Sequence, residues 1–294
     1  MKTKEKKYFI IYLSLSLSFF SCNTKQYQKD SFPIFLPSNI LDFNGTPSSL
    51  NDRSSLAFSD RGAWFAYGFS SEENKSLGFS GPFLMTQGHG EWSSKILSKL
   101  ELNNKATQEK IRLNNFSLSQ TSFNSHLNQI LENQELKIEQ NLFFNSPHSA
   151  IITTQITNFL DETINLQPSW EGTTFPIGLI ITKAGNAITL TSDQTAAIGI
   201  IQTFGDDINN ITTTDSSYSF SLNDFKLKAH ETKTLIIAQT FIFPEYDAVK
   251  EQKELKLAAK MPLNRLHKRI VEKEKEFTTL NNKLDPHWQD STYK

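Results

Sequence analysis

Three carboxylic residues stand beside aromatic residues or glycines at the ends of apolar segments. They are Asp60, Glu91 and Glu171. Hydrolysis of a glycosidic bond uses two carboxyl groups that flank the bond at a separation of roughly 5–9.5 Å. Aromatic side chains beside such acids can stack on sugars, and each acid has a tryptophan near it in the chain, namely Trp64, Trp92 and Trp170. Turn carboxylates and buried tryptophans produce the same pattern in a structural role, so both interpretations stay open.

Other residue types that carry chemistry are scattered or sparse. The six histidines lie far apart, and no pair has the i, i+4 spacing of a helical metal site. The single cysteine excludes an intramolecular disulfide and a multi-thiolate metal centre. Residues 88–92 concentrate polar groups and predict either a binding loop or a solvated turn. Because the sequence also lacks a Gly-x-Ser-x-Gly elbow and a phosphate-binding loop, we expect no metal and no cofactor.

The residues that would position these groups have the pattern of β-strands. Apolar–polar alternation or short apolar runs recur about every ten residues and are separated by Asn, Asp, Gly, Ser and Pro. The segments are residues 63–69, 79–86, 111–118, 136–144, 150–159, 164–170, 177–182, 187–191, 196–203, 218–227 and 234–243. No long helical pattern lies among them. The sequence therefore predicts a mainly β fold, an antiparallel sandwich of about eleven strands in two large stacked sheets.

The pattern changes at Pro244, where two helices are predicted. Residues 244–260 form the first, with acidic residues near its positive end. Pro262 opens the second, whose apolar residues recur every three or four positions and form a narrow stripe. The stripe consists of Leu263, Leu266, Ile270, Phe277, Leu280 and Leu284. Such a stripe indicates a partner surface, which is either the sandwich of this chain or a surface outside it.

The first residues have the order of an export signal. Four lysines and one glutamate give residues 1–7 a charge of +3, and an apolar run to Phe20 follows. The segment 19–22 resembles a bacterial lipobox, in which Cys22 is lipidated and becomes the mature N-terminus. An ordinary signal peptide with a coincidental cysteine and an uncleaved anchor are the alternatives. We expect an exported lipoprotein anchored to a membrane, in the periplasm or at the cell surface.

The charge composition and the lack of long apolar runs limit the partners that the chain can bind. Lys and Arg total 30 against 31 Asp and Glu, for a net charge of −1, which excludes a nucleic-acid binder with a broad basic surface. Beyond the N-terminus, no uncharged apolar run approaches the roughly 20 residues that span a bilayer. We therefore expect no nucleic-acid partner and membrane contact through the lipid anchor alone.

Two segments carry a resemblance to a known family. They are Ser-Asp-Arg-Gly-Ala-Trp-Phe-Ala-Tyr-Gly-Phe at 59–69 and Leu-Gly-Phe-Ser-Gly-Pro-Phe-Leu-Met at 77–85. They resemble the N-terminal domain of YgjK-type bacterial glucosidases of glycoside hydrolase family 63, which are mannosyl-oligosaccharide glucosidase-like. Residues 145–157 and 166–172 agree in kind and order, and the tail from Leu255 resembles the linker out of that domain. The resemblance covers roughly residues 40–284.

The resemblance implies a fold and a set of site residues. In that family the N-terminal domain is a large antiparallel β super-sandwich, and an (α/α)6 barrel behind it carries the general acid and the general base of an inverting reaction. Eight positions match the family segments, and the resemblance gives them a structural, domain-contact or sugar-facing role. They are Asp60, Arg61, Gly62, Trp64, Gly78, Phe79, Gly81 and Pro82.

This chain departs from the family at its end. It stops at Lys294, about where the first barrel helices would begin, and the catalytic carboxylates of the family have no matching positions. We therefore expect the non-catalytic sandwich of a glycoside hydrolase for α-glucosidic oligosaccharides, the product of a truncated or split gene. Its expected partner is a separately encoded barrel, without which it is inactive. The expected organisation is a signal peptide at 1–21, a tether at 22–31, the sandwich at 32–243, a helical linker at 244–284 and a tail at 285–294.

Two other functions stay open. The chain is alternatively a stand-alone carbohydrate-binding or surface-assembly lipoprotein, for which an oligosaccharide is the partner. It is alternatively a small independent enzyme with an unrecognised site.

Overall fold

A computed structural model describes residues 38–71, 73, 75–85, 90–192, 197–281 and 283 of this 294-residue chain. The predicted signal peptide, the tether with Cys22, His89 and the tail at 285–294 lie outside the described residues. The described part contains seventeen β-strands followed by two α-helices. This confirms the predicted mainly β class with helices at the C-terminal side.

The strands follow one another at short intervals. In the first half they are β1 (Phe65–Phe69), β2 (Phe79–Met85), β3 (Gly90–Trp92), β4 (Lys99–Asn104), β5 (Glu109–Lys110), β6 (Ser117–Ser122), β7 (Leu127–Glu132) and β8 (Leu136–Phe144). In the second half they are β9 (Ser149–Asn158), β10 (Ile164–Thr173), β11 (Leu179–Ala184), β12 (Ala187–Ser192), β13 (Ile198–Phe204), β14 (Ile208–Thr213), β15 (Ser217–Leu222), β16 (Phe225–Leu227) and β17 (Thr232–Ile242). The helices are α1 (Ala248–Lys260) and α2 (Pro262–Asn281).

These strands form three antiparallel sheets. The largest has eight strands in the order β11-β12-β13-β17-β9-β8-β7-β6. A six-stranded sheet has the order β14-β15-β10-β4-β5 with β16 also beside β10, and a three-stranded sheet has the order β1-β2-β3. Isolated bridges at Leu77–Leu100 and Gly81–Ile96 connect the two smaller sheets. The prediction of about eleven strands in two sheets was therefore wrong in number, although the antiparallel layering is confirmed.

Several predicted segments need correction. Residues 111–118 form a short 3-10 turn at Leu113–Asn115 before β6 begins, and residues 218–227 divide into β15 and β16. Strand β14 lies between the predicted segments 196–203 and 218–227, where no strand was predicted. The strands β3, β4, β5 and β7 were not predicted either, because a very short strand, or an alternation interrupted by a polar residue, is a weak signal.

The core lies between the eight-stranded sheet and the two smaller sheets. Aromatic rings dominate one part of it, where Phe65 contacts Tyr67, Phe144 and Phe241 at centroid distances of 5.9, 5.2 and 5.0 Å. All four side chains are at most 3% exposed. Such pairs stabilise a core beyond the burial of their apolar area. Phenylalanine, abundant in this chain, is thus a main component of its interior.

A chain of buried hydrogen bonds joins the sheets through this core. The Tyr67 hydroxyl on β1 donates to Gln239 Oε1 on β17 at 2.9 Å, and Gln239 Nε2 donates to Ser98 Oγ at 3.0 Å. The Tyr218 hydroxyl on β15 lies 3.1 Å from Ser98 Oγ and donates to the Leu97 carbonyl at 2.7 Å. Because buried polar groups stabilise only when they are paired, this network fixes how the three sheets face each other.

The two helices cover the opposite face of the eight-stranded sheet. Asp247 caps the start of α1, because its carboxylate accepts a hydrogen bond from the Lys250 amide. Apolar residues of both helices pack on alternate residues of β8, β9 and β17. This cluster consists of Leu255, Leu266 and Ile270 against Phe143, Ile151 and Ala238. Residues next to these in the strands face the main core, as the two-residue period of a strand requires.

The apolar stripe predicted on α2 is thereby divided. Leu266 and Ile270 are 6% and 1% exposed because the sheet of the same chain covers them. Leu263 and Phe277 are half-buried, and Leu280 is 54% exposed. The sandwich of this chain is therefore the partner for Leu266 and Ile270 in the middle of the stripe, while Leu284 lies outside the described residues.

Candidate functional site

A tight turn before β1 presents the first residues that the sequence singled out. The Ala63 amide donates to the Asp60 carbonyl at 3.0 Å, and the two residues between them have φ angles of +56° at Arg61 and +73° at Gly62. Two positive φ angles in succession are the mark of a type I′ turn. Glycine adopts this conformation freely, whereas arginine is strained there. Contacts of the side chains must therefore hold Arg61 in place.

Those contacts are made with α2. Asp60 accepts two hydrogen bonds from the Arg269 guanidinium, from Nε at 2.7 Å and from Nη2 at 2.5 Å. The two side chains are 6% and 8% exposed. Glu272, one helical turn further on, lies 2.8 Å from Arg61 Nη2 and 3.2 Å from Arg269 Nη1. Bidentate pairing of arginine with a carboxylate is among the strongest polar contacts in proteins, so this ion cluster ties the turn to the helix.

Electrostatics keeps the cluster ionised. Burial disfavours the charge of Arg269, but hydrogen bonds to Asp60 and Glu272 outweigh that effect and raise its pKa above the usual value. Burial and the neighbouring Arg269 charge lower the pKa of Arg61. Burial also opposes ionisation of Glu272, yet the hydrogen bond from Arg269 and the charge of Arg61 lower its pKa. The three groups therefore behave as a linked ion network.

A second set of polar contacts holds the helices at the turn between β8 and β9. The Glu251 carboxylate on α1, itself 7% exposed, accepts hydrogen bonds from Ser146 Oγ at 2.5 Å and Ser149 Oγ at 2.6 Å. Arg265 on α2 donates from Nε to Asn145 Oδ1 at 2.9 Å. Both helices are thus pinned to one end of the eight-stranded sheet, next to the turn that carries Arg61.

Between these two turns lies a cleft of about 960 Å³. Its walls come from the turn before β1, the end of β2, the turn before β9, the start of β11, the strands β12 and β13, and the segment from the end of β17 to α1. The side chains that matter for its chemistry are Arg61, Trp64, His148, Phe243, Glu245 and Tyr246. The Trp64 and Phe243 rings lie 4.5 Å apart between centroids, and the His148 and Tyr246 rings lie 4.2 Å apart. We call this space the Trp64 cleft.

The eight family-matched residues separate into two groups. Asp60, Arg61, Gly62 and Trp64 lie at the ion cluster or in the Trp64 cleft. The other four lie on or next to β2 and are buried in the sandwich, namely Gly78, Phe79, Gly81 and Pro82. A side chain at Gly78 would come within 2.7 Å of Ile96, which explains the glycine as a close-packing residue. The second group therefore packs the interior, while a ligand or domain-contact role for the first group stays a prediction.

The three carboxylates proposed for sugar chemistry are dispersed. Asp60 accepts hydrogen bonds from Arg269 on α2. Glu171 on β10 forms an ion pair with Lys99 at 2.9 Å. Glu91 lies on β3 opposite Leu84. Trp92 and Trp170 are buried in the core at 1% and 2% exposure. Of the three tryptophans, Trp64 alone is partly exposed and lines a cleft.

Other surfaces carry less chemistry. A groove of about 890 Å³ beside Glu171 is lined mainly by serine, threonine and lysine residues. In the part of the chain that the structure describes, no group of three or more metal-ligating side chains is found. Neither described helix is long and apolar enough to cross a bilayer.

Several site residues could not be singled out from the sequence. Arg269, Glu272 and Tyr246 lie on or next to charged helical segments, where they resemble ordinary surface residues. The i, i+3 spacing of Arg269 and Glu272 is a weak signal of pairing along a helix. Nothing local indicates that both face a turn about 200 residues earlier in the chain.

Comparison with known proteins adds a family and a fold. The family described as glucosidase YgjK, N-terminal, matches residues 44–270. A putative kojibiose phosphorylase from human microbiome is similar in structure, with a TM-score of 0.50 and 12% identity over 74% of this chain. A bacterial glucoamylase complexed with acarbose is similar with a TM-score of 0.51 and 12% identity over 85% of this chain. No curated protein matches the chain significantly.

The structural similarities and the family match support different conclusions. At 12% identity the two solved structures show the shared fold alone. The chain spans 35% of the phosphorylase chain and 40% of the glucoamylase chain. The family match, in contrast, rests on sequence over most of the chain.

Proposed function

The chain belongs to the family of YgjK glucosidase N-terminal domains, and from that premise we propose that it is the non-catalytic sandwich part of a glycoside hydrolase. Its proposed role is to support a catalytic (α/α)6 barrel that acts on α-glucosidic oligosaccharides. The family match over residues 44–270 carries this proposal. The barrel is the proposed partner, whether the same gene or another one encodes it.

The state of the carboxyl groups supports a non-catalytic role. A glycosidase needs one carboxyl group with a raised pKa as general acid and a second placed across the scissile bond. Where the described carboxyl groups have a shifted pKa, the shift is downward. These groups are Asp52, Glu101, Asp224 and Glu272. Hydrogen bonds lower the pKa of each group, and lysine or arginine charges add to this effect at the last three. A lowered pKa is the opposite of what a general acid requires.

The exposed end of α2 supports a partner surface. Leu280 is 54% exposed near the C-terminal end of α2, and the middle of this helix is anchored by the Asp60–Arg269 pair. Large exposed apolar patches mark contact surfaces, whereas single exposed apolar residues are common, so the proposal depends on Leu280 continuing the apolar stripe of α2. We propose that the barrel packs here.

Export and anchoring through Cys22 remain part of the proposal. The order of basic residues, apolar run and cysteine at residues 1–22 supports it. Two or more acyl chains would hold the chain firmly on the membrane, since a single chain gives only marginal binding.

The test has two arms. First, the purified full chain is incubated with kojibiose, maltose and maltotriose, and released glucose is measured; we expect none above the buffer control. Second, the chain is co-expressed with an (α/α)6 barrel encoded in its own gene or gene neighbourhood. We expect the two to co-purify at equal stoichiometry and to release glucose. Glucose release by the chain alone, or a soluble barrel that neither binds nor needs the chain, contradicts the proposal.

A stand-alone carbohydrate-binding lipoprotein is the second candidate function. The Trp64 cleft favours it, because aromatic rings and polar groups line one concave surface. Oligosaccharide binding without any barrel partner would support this second function over the first.

A further inference from the structure

We propose that the Trp64 cleft binds a neutral oligosaccharide through its aromatic and polar wall. The substrate class rests on the proposed function, whereas the site itself rests on the geometry of the described residues.

The shape of the cleft is that of a small-molecule site. Its volume of about 960 Å³ lies near the upper end of the range of roughly 300–1,000 Å³ that ligand sites occupy. Turns and strand ends from distant parts of the chain form its walls, and each turn is fixed by its own contacts. The Asp60–Arg269 pair holds one turn and the Glu251–Ser146 hydrogen bond holds the other. A wall fixed in this way loses little entropy when a ligand binds.

Aromatic rings supply a surface for the apolar faces of a sugar. Trp64 and Phe243 lie against each other at 4.5 Å with an interplanar angle of 38°. Tyr246 is 49% exposed, lies 4.2 Å from His148, and is held by a hydrogen bond from its amide to the Phe243 carbonyl at 3.1 Å. A tyrosine ring has an apolar face and a polar hydroxyl, so it can contact both the apolar face and the hydroxyl groups of a sugar.

Polar groups of the same wall have unused hydrogen-bonding capacity. Among the described residues, three buried side-chain atoms that belong to this wall have no hydrogen-bond partner: Arg61 Nε, Trp64 Nε1 and His148 Nδ1. Buried polar groups are paired in the great majority of cases. The three side chains are themselves partly exposed and line the cleft, and binding of the sugar requires them to turn so that these atoms reach it. Hydroxyl groups both donate and accept hydrogen bonds and thus match all three.

Charge favours a neutral ligand over an anionic one. The Arg61 guanidinium is already paired with Glu272 at 2.8 Å, and Glu245 brings a carboxylate to the same cleft. A phosphate or sulfate group would meet one cation whose charge is neutralised and one anion. A neutral sugar has no such conflict.

The experiment measures sugar binding to the full chain in the absence of any barrel. Maltotriose is titrated by calorimetry and by saturation-transfer NMR, and a sulfated heparin tetrasaccharide serves as the anionic probe. We expect maltotriose to bind with a Kd in the millimolar range or tighter and the anionic probe to bind at least tenfold more weakly. Tyr246→Ala should weaken maltotriose binding at least tenfold.

A matched control separates the site from a general effect of losing a ring. Phe159 is also partly exposed, at 37%, and does not line the cleft, so Phe159→Ala should leave the Kd unchanged within twofold. Trp64→Phe, which keeps the ring and removes the donor, should weaken binding threefold or more. No maltotriose binding at 20 mM, or equal loss in Tyr246→Ala and Phe159→Ala, overturns the proposal. These outcomes are independent of whether a barrel binds or glucose is released, so a failure here is distinguishable from a failure of the proposed function.

Discussion

The Asp60–Arg269 pair offers the sharpest test of how the helices are held on the sandwich. We expect Asp60→Asn to destabilise the chain strongly. The substitution keeps the size and shape of the side chain but leaves the Arg269 guanidinium, 8% exposed, without the carboxylate that accepts two of its hydrogen bonds. An uncompensated charge of this kind is costly because burial has removed most of its water.

The magnitude follows from the burial and from the contacts that remain. Removing one partner of a buried ion pair costs about 3–5 kcal/mol. Arg269 keeps Glu272 at 3.2 Å and Glu276 at 3.9 Å after the substitution, which places the loss near the lower end, at about 3 kcal/mol. We expect a reduced urea midpoint with an unchanged slope, measured by tryptophan fluorescence and circular dichroism.

Two further variants distinguish the pair from general charge effects. Asp161 Oδ1 lies 3.0 Å from His230 Nε2, and the side chains are 99% and 65% exposed, so Asp161→Asn should change the unfolding free energy by less than about 1 kcal/mol. Removing both charges in Asp60→Asn with Arg269→Met should recover most of the loss, since no unpaired charge remains. A loss below about 1 kcal/mol for Asp60→Asn, or one equal to that of Asp161→Asn, would refute the reasoning.

Three other expectations concern stability, and one concerns location. Burial lowers the pKa of His126 to about 4 from 6.5, so the unfolded chain binds a proton at higher pH than the folded chain does. The free energy of unfolding should therefore fall by up to about 3 kcal/mol as the pH drops from 6.5 to 4. In urea titrations at a series of pH values, His126→Gln should abolish this loss. Leu266→Ala should cost about 2–5 kcal/mol in urea unfolding because the sheet covers Leu266, whereas Leu280→Ala should cost less than about 0.5 kcal/mol. Gly62→Ala should lower the free energy of unfolding by about 1 kcal/mol. The cause is the φ angle of +73° alone, since a Cβ at this position meets no atom within 4 Å. An unchanged melting temperature contradicts this expectation. Cys22→Ser should release the chain from the membrane fraction and abolish labelling with a fatty-acid analogue, and unchanged partition would show that Cys22 is not lipidated.

The local sequence pattern was sufficient to predict strands whose buried residues are apolar. The predicted segment 136–144 coincides with β8, and Pro262 begins α2 as expected. Strand β7 was missed because its central inward residue is Gln129, which is fully buried and donates to Gln140 Oε1 at 2.6 Å. A glutamine at that place breaks the apolar alternation, and only its partner on the neighbouring strand makes its burial favourable.

What the sequence alone determined is therefore the class of fold, the position of the two helices after the strands and, through two short motifs, the family. Tertiary structure decided which faces meet. Residues 59–64 and α2 are about 200 residues apart, and their ion cluster exists only because the eight-stranded sheet brings the helix beside the turn. The same applies to the Trp64 cleft, whose walls come from turns and strands spread between residues 61 and 246. Strand periodicity tells which side chains share a face of one strand, but the partner of that face depends on long-range pairing and packing, which no local window of sequence contains.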